Sequence, residues 1–432
     1  RKGRCSQPRI TGLNVVTIAR LRVQNFKSID TLDLMLGDFN VFIGANASGK
    51  SNLLSVLTFV RDVVRDGLED AVSLQGGIGS LRNVQLDRER QTCIEILACP
   101  SGQEKQHAAS VETEGDPIPF VHYRLALEPA QTIAGFRVAR ESLKRGEGSK
   151  HLLNGDVDAF LDAAYAIFSK TRHGNTTTSV AALDPQSQQN PQGLLGPQTV
   201  SETEAFLNTS IHALSIFSEA LSKGGREFFI PIFDVDVEPL KRTAQPLSGR
   251  NDLAEDGRNL ALVLRNLLKD EMKQRKLLNL VSSLLPFSQG IRVQESRAES
   301  SIYVSLQESF AEDIRMPTAL LSDGTLQALA LVVALYFDER PIIAFEEPTR
   351  GLHPKIISQL VQMMQEVAAE KQLLVTTHNP ELIKHAGLEN VYLVSRSDEG
   401  FTHVTKPADK KTVQTFLEHD LGVDDLFVQN LL

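Results

Sequence analysis

Residues 39–51 read FNVFIGANASGKS. An apolar run stops at Gly44, and the spacing Gly44-x-x-x-x-Gly49-Lys50-Ser51 follows at once. The next stretch, LLSVLTFVRDVVRDGL, carries apolar side chains at helical intervals. A strand, a glycine turn and a helix in that order limit this chain more than any other segment does. The glycines let the backbone curl so that its N–H groups point inward, and the helix turns its positive end to the same place. The pattern predicts a phosphate cradle made by Gly44, Ala45, Asn46, Ala47, Ser48, Gly49, Lys50, Ser51 and Asn52. Lys50 would reach β- and γ-phosphates, and the Ser51 hydroxyl would meet Mg2+. A plain glycine turn with a solvent-facing lysine is the alternative, and the flanking strand and helix argue against it.

Three further stretches fit the same chemistry. In PIIAFEEPTRGLHP an apolar run ends in two adjacent carboxylates, Glu346 and Glu347. Neighbours on a strand point to different sides, so one acid can face a metal and the other a water. A metal charge would also offset their repulsion. A solvated strand end is the plainer reading. In QLLVTTHNP a second apolar run ends in His378, placed to hydrogen-bond a phosphate or an attacking water; a structural histidine fits as well. In LLSDGTLQALA, Ser322, Asp323, Gly324 and Thr325 open a helix. Such a start attracts anions, although Ser, Asp and Thr are also ordinary caps. The order of the four stretches, the last three close together in the chain, favours one site over four coincidences.

The rest of the chain bounds the architecture. With 432 residues, two or three structural units are expected. Strand-like runs at 15–43 and 91–145 and the helical pattern after Ser51 suggest a first lobe over 16–170, with the phosphate loop and an antiparallel β addition. Residues 171–200 are rich in Gln, Asn, Thr, Pro and Gly, and a mobile loop is expected. Helical patterns at 202–223 and 253–285 complete a mainly helical insert over 171–285. The second lacks the sustained heptads of a long coiled coil. Strands and helices alternate over 286–400, which predicts a largely parallel sheet and a second lobe. Residues 1–15 read as a disordered leader, with ordered chain from near Val16, and 401–432 as a C-terminal extension. The fold class expected is α/β.

Net charge of −9 speaks against a generally basic nucleic-acid binder, though not against a local basic patch. Cys5, Cys93 and Cys99 form no CxxC pair, which disfavours zinc and fits a reducing compartment. The longest mostly apolar segment, 326–337, is too short to cross a bilayer as a helix.

Taken together, the four motifs resemble the ABC-type P-loop ATPase superfamily, with its Walker A, signature, Walker B and H-loop segments. LRVQNFKSI before the loop, LSDGT in place of LSGGQ, and EEPTRGLHP are similar to the soluble RecF/SMC-like branch. LAEDGRNLALVLRNL and EEPTRGLHP look most like bacterial OLD-like predicted ATPases. The resemblance covers about 16–400, strongly at both ends and weakly in the middle. It implies an ABC-ATPase head that binds ATP and Mg2+ and hydrolyses ATP. Glu347 would polarise water, His378 would be the switch histidine, and Lys50 would hold the phosphates. Ser51, Glu346 and Gln75 would serve Mg2+. Ser322, Asp323, Gly324 and Thr325 would contact the nucleotide of a partner subunit. Arg22, Asn25 and Phe26 would border the base or ribose. Glu346 stands where such ATPases usually have Asp, and Asp323 replaces a glycine.

The same resemblance implies a homodimer or higher oligomer with shared ATP sites, in the bacterial cytoplasm and without a membrane. Three functions follow from it. One is a switch that controls a separate effector, a nuclease above all, in DNA-related or anti-phage defence. The stretch after 397, with Glu418, Asp420, Asp424 and Asp425, leaves no room for a nuclease of its own. Another is a DNA-repair or chromosome-maintenance ATPase that clamps DNA, with Arg137, Arg140, Lys144, Arg145 and Lys150 as the basic track, although a solvated hairpin is the plainer reading of that stretch. The third is an ATP-dependent scaffold with negligible hydrolysis that holds a toxin-like partner.

Overall fold

A computed structural model describes residues 16–100, 117–149, 161, 164–173, 176–181, 230–241, 252–296, 301–310, 314–409 and 427. The expected leader, the helix over 202–223, most of the 171–200 stretch, Cys5, Lys150 and the four acids of the C-terminal extension lie outside these residues.

The chain opens with β1 (Val16–Phe26), β2 (Ile29–Met35), β3 (Phe39–Ile43) and α1 (Lys50–Asp66). Short helices α2 (Leu68–Leu74) and α3 (Ile78–Leu81) precede β4 (Thr92–Pro100), β5 (Pro117–Pro129), β6 (Phe136–Ser149), β7 (Ala164–His173) and β8 (Thr176–Ala181). Then come β9 (Ile232–Phe233), α4 (Val237–Lys241), α5 (Leu260–Leu267) and α6 (Glu271–Leu284). The remainder is β10 (Ser288–Ser296), β11 (Ser301–Glu308), β12 (Arg315–Pro317), α7 (Asp323–Phe337), β13 (Ile342–Glu346), α8 (Pro354–Ala368), β14 (Gln372–Thr377), α9 (Pro380–Ala386) and β15 (Val391–Arg396).

The chain folds as two units. The first holds residues up to 38, 52–230 and 396–404. Its strands form one antiparallel sheet in the order β2-β1-β4-β5-β6-β7-β8. Alternation puts Ile18, Leu21, Val23, Ile94 and Ile96 in the core. Phe26 meets Phe59 of α1 in a tilted ring pair with centroids 6.1 Å apart. Arg137, Arg140, Lys144 and Arg145 lie on one strand, β6, which pairs antiparallel with its chain neighbour β5 as one arm of a hairpin within the sheet. Arg137 is already paired with Glu128.

The second unit holds 39–51, 231–395 and the chain from 405. Five of its strands run in the order β15-β3-β14-β13-β9, all in parallel pairs. FNVFI and QLLVTT are buried at every position, as strands covered on both faces must be. Register aligns the strand ends: Glu346 stands opposite Thr376, and Thr376 opposite Phe42. The chain therefore leaves β3, β13 and β14 at one edge, where α/β sheets of this kind carry their ligands. A separate three-stranded antiparallel sheet, β10-β11-β12, belongs to the same unit.

These units differ from the lobes expected from sequence. The strand of the phosphate loop, β3, leaves its sequence neighbours and joins the second unit because its hydrogen-bonding partners are β14 and β15. The helices α5 and α6 likewise bury Leu260, Val263, Leu264, Leu277, Val281 and Leu284 in the core that holds β3, β13 and β14. The single helical pattern over 253–285 divides at Asp270, whose carboxylate caps α6 by accepting from Met272 N and Lys273 N.

Candidate functional site

The glycine turn after β3 is a cradle that only glycine can make at its first position. A Cβ on Gly44 would stand 2.2 Å from the Val394 carbonyl oxygen and 2.6 Å from Ser48 Oγ. Ala47 (φ 63°) and Gly49 (φ 109°) turn the loop through left-handed conformations. Ala45, Asn46 and Ala47 are exposed at its tip, while Ser48, Gly49 and Lys50 are buried beneath. The Lys50 ammonium donates to Gly44 O at 2.7 Å and Ala45 O at 3.1 Å and lies 3.8 Å from Glu347 Oε1. Burial pushes the Lys50 pKa down, and the nearby Glu347 and Glu346 oppose that shift. Asn52, the last residue assigned to the cradle from sequence, belongs to the first unit and gives its amide to Ser28 Oγ at 2.5 Å.

The two glutamates make separate contacts, set by a backbone feature that the strand pattern did not contain. Glu346 is the last residue of β13 and accepts a 2.5 Å hydrogen bond from Ser51 Oγ. Glu347 leaves the strand in a left-handed conformation, φ 47°. That is a strained geometry for a residue with a side chain. Its N–H is held by Thr376 O at 2.9 Å. The kink, more than the pleat, turns its carboxylate away from Glu346. Glu347 Oε2 accepts from His378 N at 3.2 Å, and Oε1 lies 2.8 Å from His378 Nδ1. The Glu347 side chain is 11% exposed and the His378 ring 52%. A buried carboxylate thus sits between a buried ammonium and an imidazole that reaches solvent.

Ser51 Oγ and Glu346 Oε1 bring two hard oxygen donors together beside the cradle, which is the donor chemistry Mg2+ takes. Among the described residues no group of three or more His, Cys, Asp or Glu could hold a metal alone.

The Ser-Asp-Gly turn starts α7. Ser322 caps it by accepting from Thr325 N at 3.2 Å, and its hydroxyl also meets Thr325 Oγ1 at 2.8 Å. Gly324 is needed for close approach, since a Cβ there would lie 2.8 Å from Gly351 O. Asp323, the residue in place of a glycine, does not stand as a bare charge. Its Oδ1 is 2.5 Å from Lys241 Nζ, and that hydrogen bond pushes the Lys241 pKa up. Lys241 went unrecognised in the sequence because it lies at the end of a five-residue helix far from Asp323 along the chain. Only the fold brings them together. Gln327 lies in the quoted LLSDGTLQALA stretch, but its burial and its bond to the Pro348 carbonyl are set by the fold and not by local pattern.

The remaining candidates all lie in the first unit. Asn25 and Phe26, assigned from sequence to the base or ribose, are buried strand-end residues. Both are 0% exposed, Asn25 Nδ2 donates to Arg90 O at 2.8 Å, and its Oδ1 accepts from Asn83 N at 3.0 Å. Phe26 is core. Arg22 pairs with Asp33 at 3.3 Å. Gln75 follows α2 and caps it through its backbone N–H.

Comparison with known proteins places this geometry. A family model described as "AAA domain, putative AbiEii toxin, Type IV TA system" matches residues 39–91 and 204–384. The energy-coupling factor transporter ATP-binding protein EcfA2 of Bacillus cereus is 29% identical over 129 residues, 27% of this chain and 43% of that protein. The histidine/lysine/arginine/ornithine transport ATP-binding protein HisP of Escherichia coli K12 is 31% identical over 74 residues, 17% of this chain and 28% of that one. The chain thus spans less than half the length of these curated relatives. A solved SMC head, bound to the C-winged helix domain of ScpA, aligns over 90% of this chain and 96% of that one at 17% identity, with a TM-score of 0.51. That likeness is one of fold: an α/β head with parallel and antiparallel sheets. The family match takes in the phosphate loop, the Ser-Asp-Gly turn, both glutamates and His378, and it covers more than half of the 432 residues, so the chain belongs to this AAA-domain family of P-loop proteins.

Proposed function

We propose that the protein hydrolyses ATP and acts as a switch that closes when two copies share two nucleotides head to tail, in the manner of the OLD-like group it resembles. One observation carries the chemistry. Glu347 is held within 2.8 Å of His378 Nδ1 and 3.8 Å of Lys50 Nζ, while the neighbouring Glu346 is engaged with Ser51. This separates a carboxylate free to orient and polarise a water from one suited to a metal. Ser51 and Glu346 would hold Mg2+, which when bound neutralises charge on the phosphates. The cradle from Gly44 to Ser51 binds the triphosphate, Lys50 moves from the loop carbonyls to phosphate oxygens, and Glu347 accepts the proton of the attacking water. His378 holds Glu347 in place from the solvent side.

Ser322, Gly324 and the start of α7 would meet the γ-phosphate bound by the other copy, and closure and opening of the pair would be the output. The output acts on a separate effector, of nuclease or toxin type, in DNA-related or anti-phage defence. The description of the matching family, which names a putative toxin of a toxin–antitoxin system, supports this class of role. Among the described residues no helix is long and apolar enough to cross a membrane.

The test is phosphate release and oligomer size, each with and without ATP and Mg2+, for wild type and Glu347→Gln. The expected result is that Glu347→Gln binds ATP and associates but loses about 100-fold or more in kcat. Hydrolysis at the wild-type rate would remove Glu347 from the chemistry. Association indifferent to ATP would remove the shared-site pair. Pull-down from the native host, with and without ATP, identifies the effector.

A further inference from the structure

We infer that Gln327 is a positioning residue for Glu347, and that through it the start of α7 is tied to the acid of its own subunit. The inference rests on the proposed role of Glu347 and extends it.

Gln327 is 2% exposed on a helix whose neighbouring residues Leu326, Ala328, Leu329 and Ala330 are all buried. Its amide Nε2 donates to Pro348 O at 3.3 Å. Its Oε1 has no hydrogen-bond partner among the described residues. Such a buried, half-satisfied amide is a poorer choice for stability than an apolar side chain of similar size. What it holds is therefore the point of interest. Pro348 directly follows Glu347, the residue with the strained φ of 47°. The proline ring fixes its own φ, so the Pro348 carbonyl and the Glu347 backbone move together. Holding that carbonyl helps to hold the kink that aims the Glu347 carboxylate at His378.

A second contact lies one helical turn earlier on the same face. Gly324 approaches Gly351 O so closely that a Cβ would be 2.8 Å from it. The face of α7 that carries residues 324 and 327 thus lies along the loop from Pro348 to Gly351. The same helix begins at Ser322 and Asp323, the residues that would meet the other copy's nucleotide. A nucleotide docked against that start would shift α7 as a rigid body. The shift would reach the Pro348 carbonyl and then Glu347. Each subunit's acid would respond to whether the opposite site is filled, and the two sites would fire cooperatively.

Gln327→Leu and Gln327→Met, which lack the donor, test this in the full chain, with steady-state hydrolysis, ATP-dependent association and thermal melting. The expected result is a kcat lower by about tenfold or more with KM for ATP nearly unchanged, since misplacement of a reacting group acts on the chemical step. The Hill coefficient for ATP should fall toward unity. Association with ATP should persist, and melting temperature should hold or rise. Wild-type kcat and cooperativity in whichever variant folds would overturn the inference and leave Gln327 a packing residue. Glu347→Gln, run alongside, separates the two ideas. If it hydrolyses like wild type, the reading of Glu347 fails. If it is inactive while Gln327→Met keeps wild-type kcat and cooperativity, only the present inference fails.

Discussion

At the start of α1, the lysine is buried and its ammonium is spent on the carbonyls of its own loop. At the start of α7, Asp323 is exposed and its charge is met by a lysine from another element. Both starts lie in the second unit, both have a serine, and both need a glycine because a carbonyl oxygen occupies the place of its Cβ. The first is enclosed: Lys50, Glu347 and the loop satisfy one another, and a triphosphate has only to displace Lys50 from two carbonyls. The second faces outward, with its cap satisfied and its carboxylate paired. The contrast fits one site that belongs to the subunit and one that completes another's. Three substitution sets and a pH titration can break or sharpen that comparison.

The largest effect is expected from Lys50→Ala. It removes the cation from the enclosed start and leaves Glu347 without it. ATP affinity, measured by calorimetry, should fall about 100-fold or more, the usual scale for truncating one member of a buried charge pair. An affinity within a few-fold of wild type would mean that the loop does not hold the triphosphate through Lys50.

Next are the two glycines. Gly44→Ala puts a methyl 2.2 Å from Val394 O, and the backbone must move; about 1–3 kcal/mol of stability should be lost, with ATP binding. Gly324→Ala meets Gly351 O at 2.8 Å, a milder conflict. It should cost less in melting temperature, keep ATP binding, and weaken ATP-dependent association. If both variants lose ATP binding equally, the two starts are not divided between own and opposite site.

Sequence alone carried the enclosed start almost completely. Gly44, Gly49, Lys50 and Ser51 follow a local pattern whose spacing is itself the geometry. The parallel sheet was also legible, because FNVFI, PIIAF and QLLVTT are short apolar runs that leave little choice but buried strands. The outward start was legible only as a cap. Its partners, Lys241 and the Gly351 carbonyl, are remote in sequence, and no periodicity records such pairings. The kink at Glu347 was invisible for a different reason. Glutamate is not a residue that announces a left-handed conformation, and tertiary contacts hold it there. The bonds of Asn25 to Arg90 and Asn83 were illegible too, because those partners are remote in sequence. The allocation of β3 to the second unit could not be read because strand pairing, not adjacency, decides it.

A smaller effect is expected from Asp323→Gly, which restores a glycine to the outward start. An exposed pair contributes little to folding, so the melting temperature should stay where it is. Without the carboxylate, Lys241 loses its hydrogen-bonded partner and keeps only the weaker pull of Glu238, near the place proposed for the other copy's phosphate. ATP-dependent association should tighten a few-fold at low salt and lose that gain at high salt. No change in association at either salt concentration would place Asp323 and Lys241 outside the interface.

The smallest effect is one of pH, and it separates the two starts without mutation. Burial lowers the Lys50 pKa below its ordinary 10.5, whereas the hydrogen bond that Lys241 donates to Asp323 raises that of Lys241. As pH climbs toward 10.5, Lys50 loses its proton first and the attraction for a triphosphate goes with it. ATP affinity should therefore decline at a pH where the Asp323–Lys241 pair is still charged. For the nucleotide-free protein the sign is reversed. Below the lowered pKa, folding must keep a buried ammonium charged. Between that pKa and 10.5 the unfolded chain holds more protons at this position than the folded one, so this group's contribution to stability rises with pH. Parallel titrations of ATP affinity and melting temperature, in wild type and Lys50→Met, test the assignment. The two wild-type curves should move in opposite directions over that window, and the divergence should vanish in the variant. Curves that fall together in both proteins would trace the alkaline loss to another group.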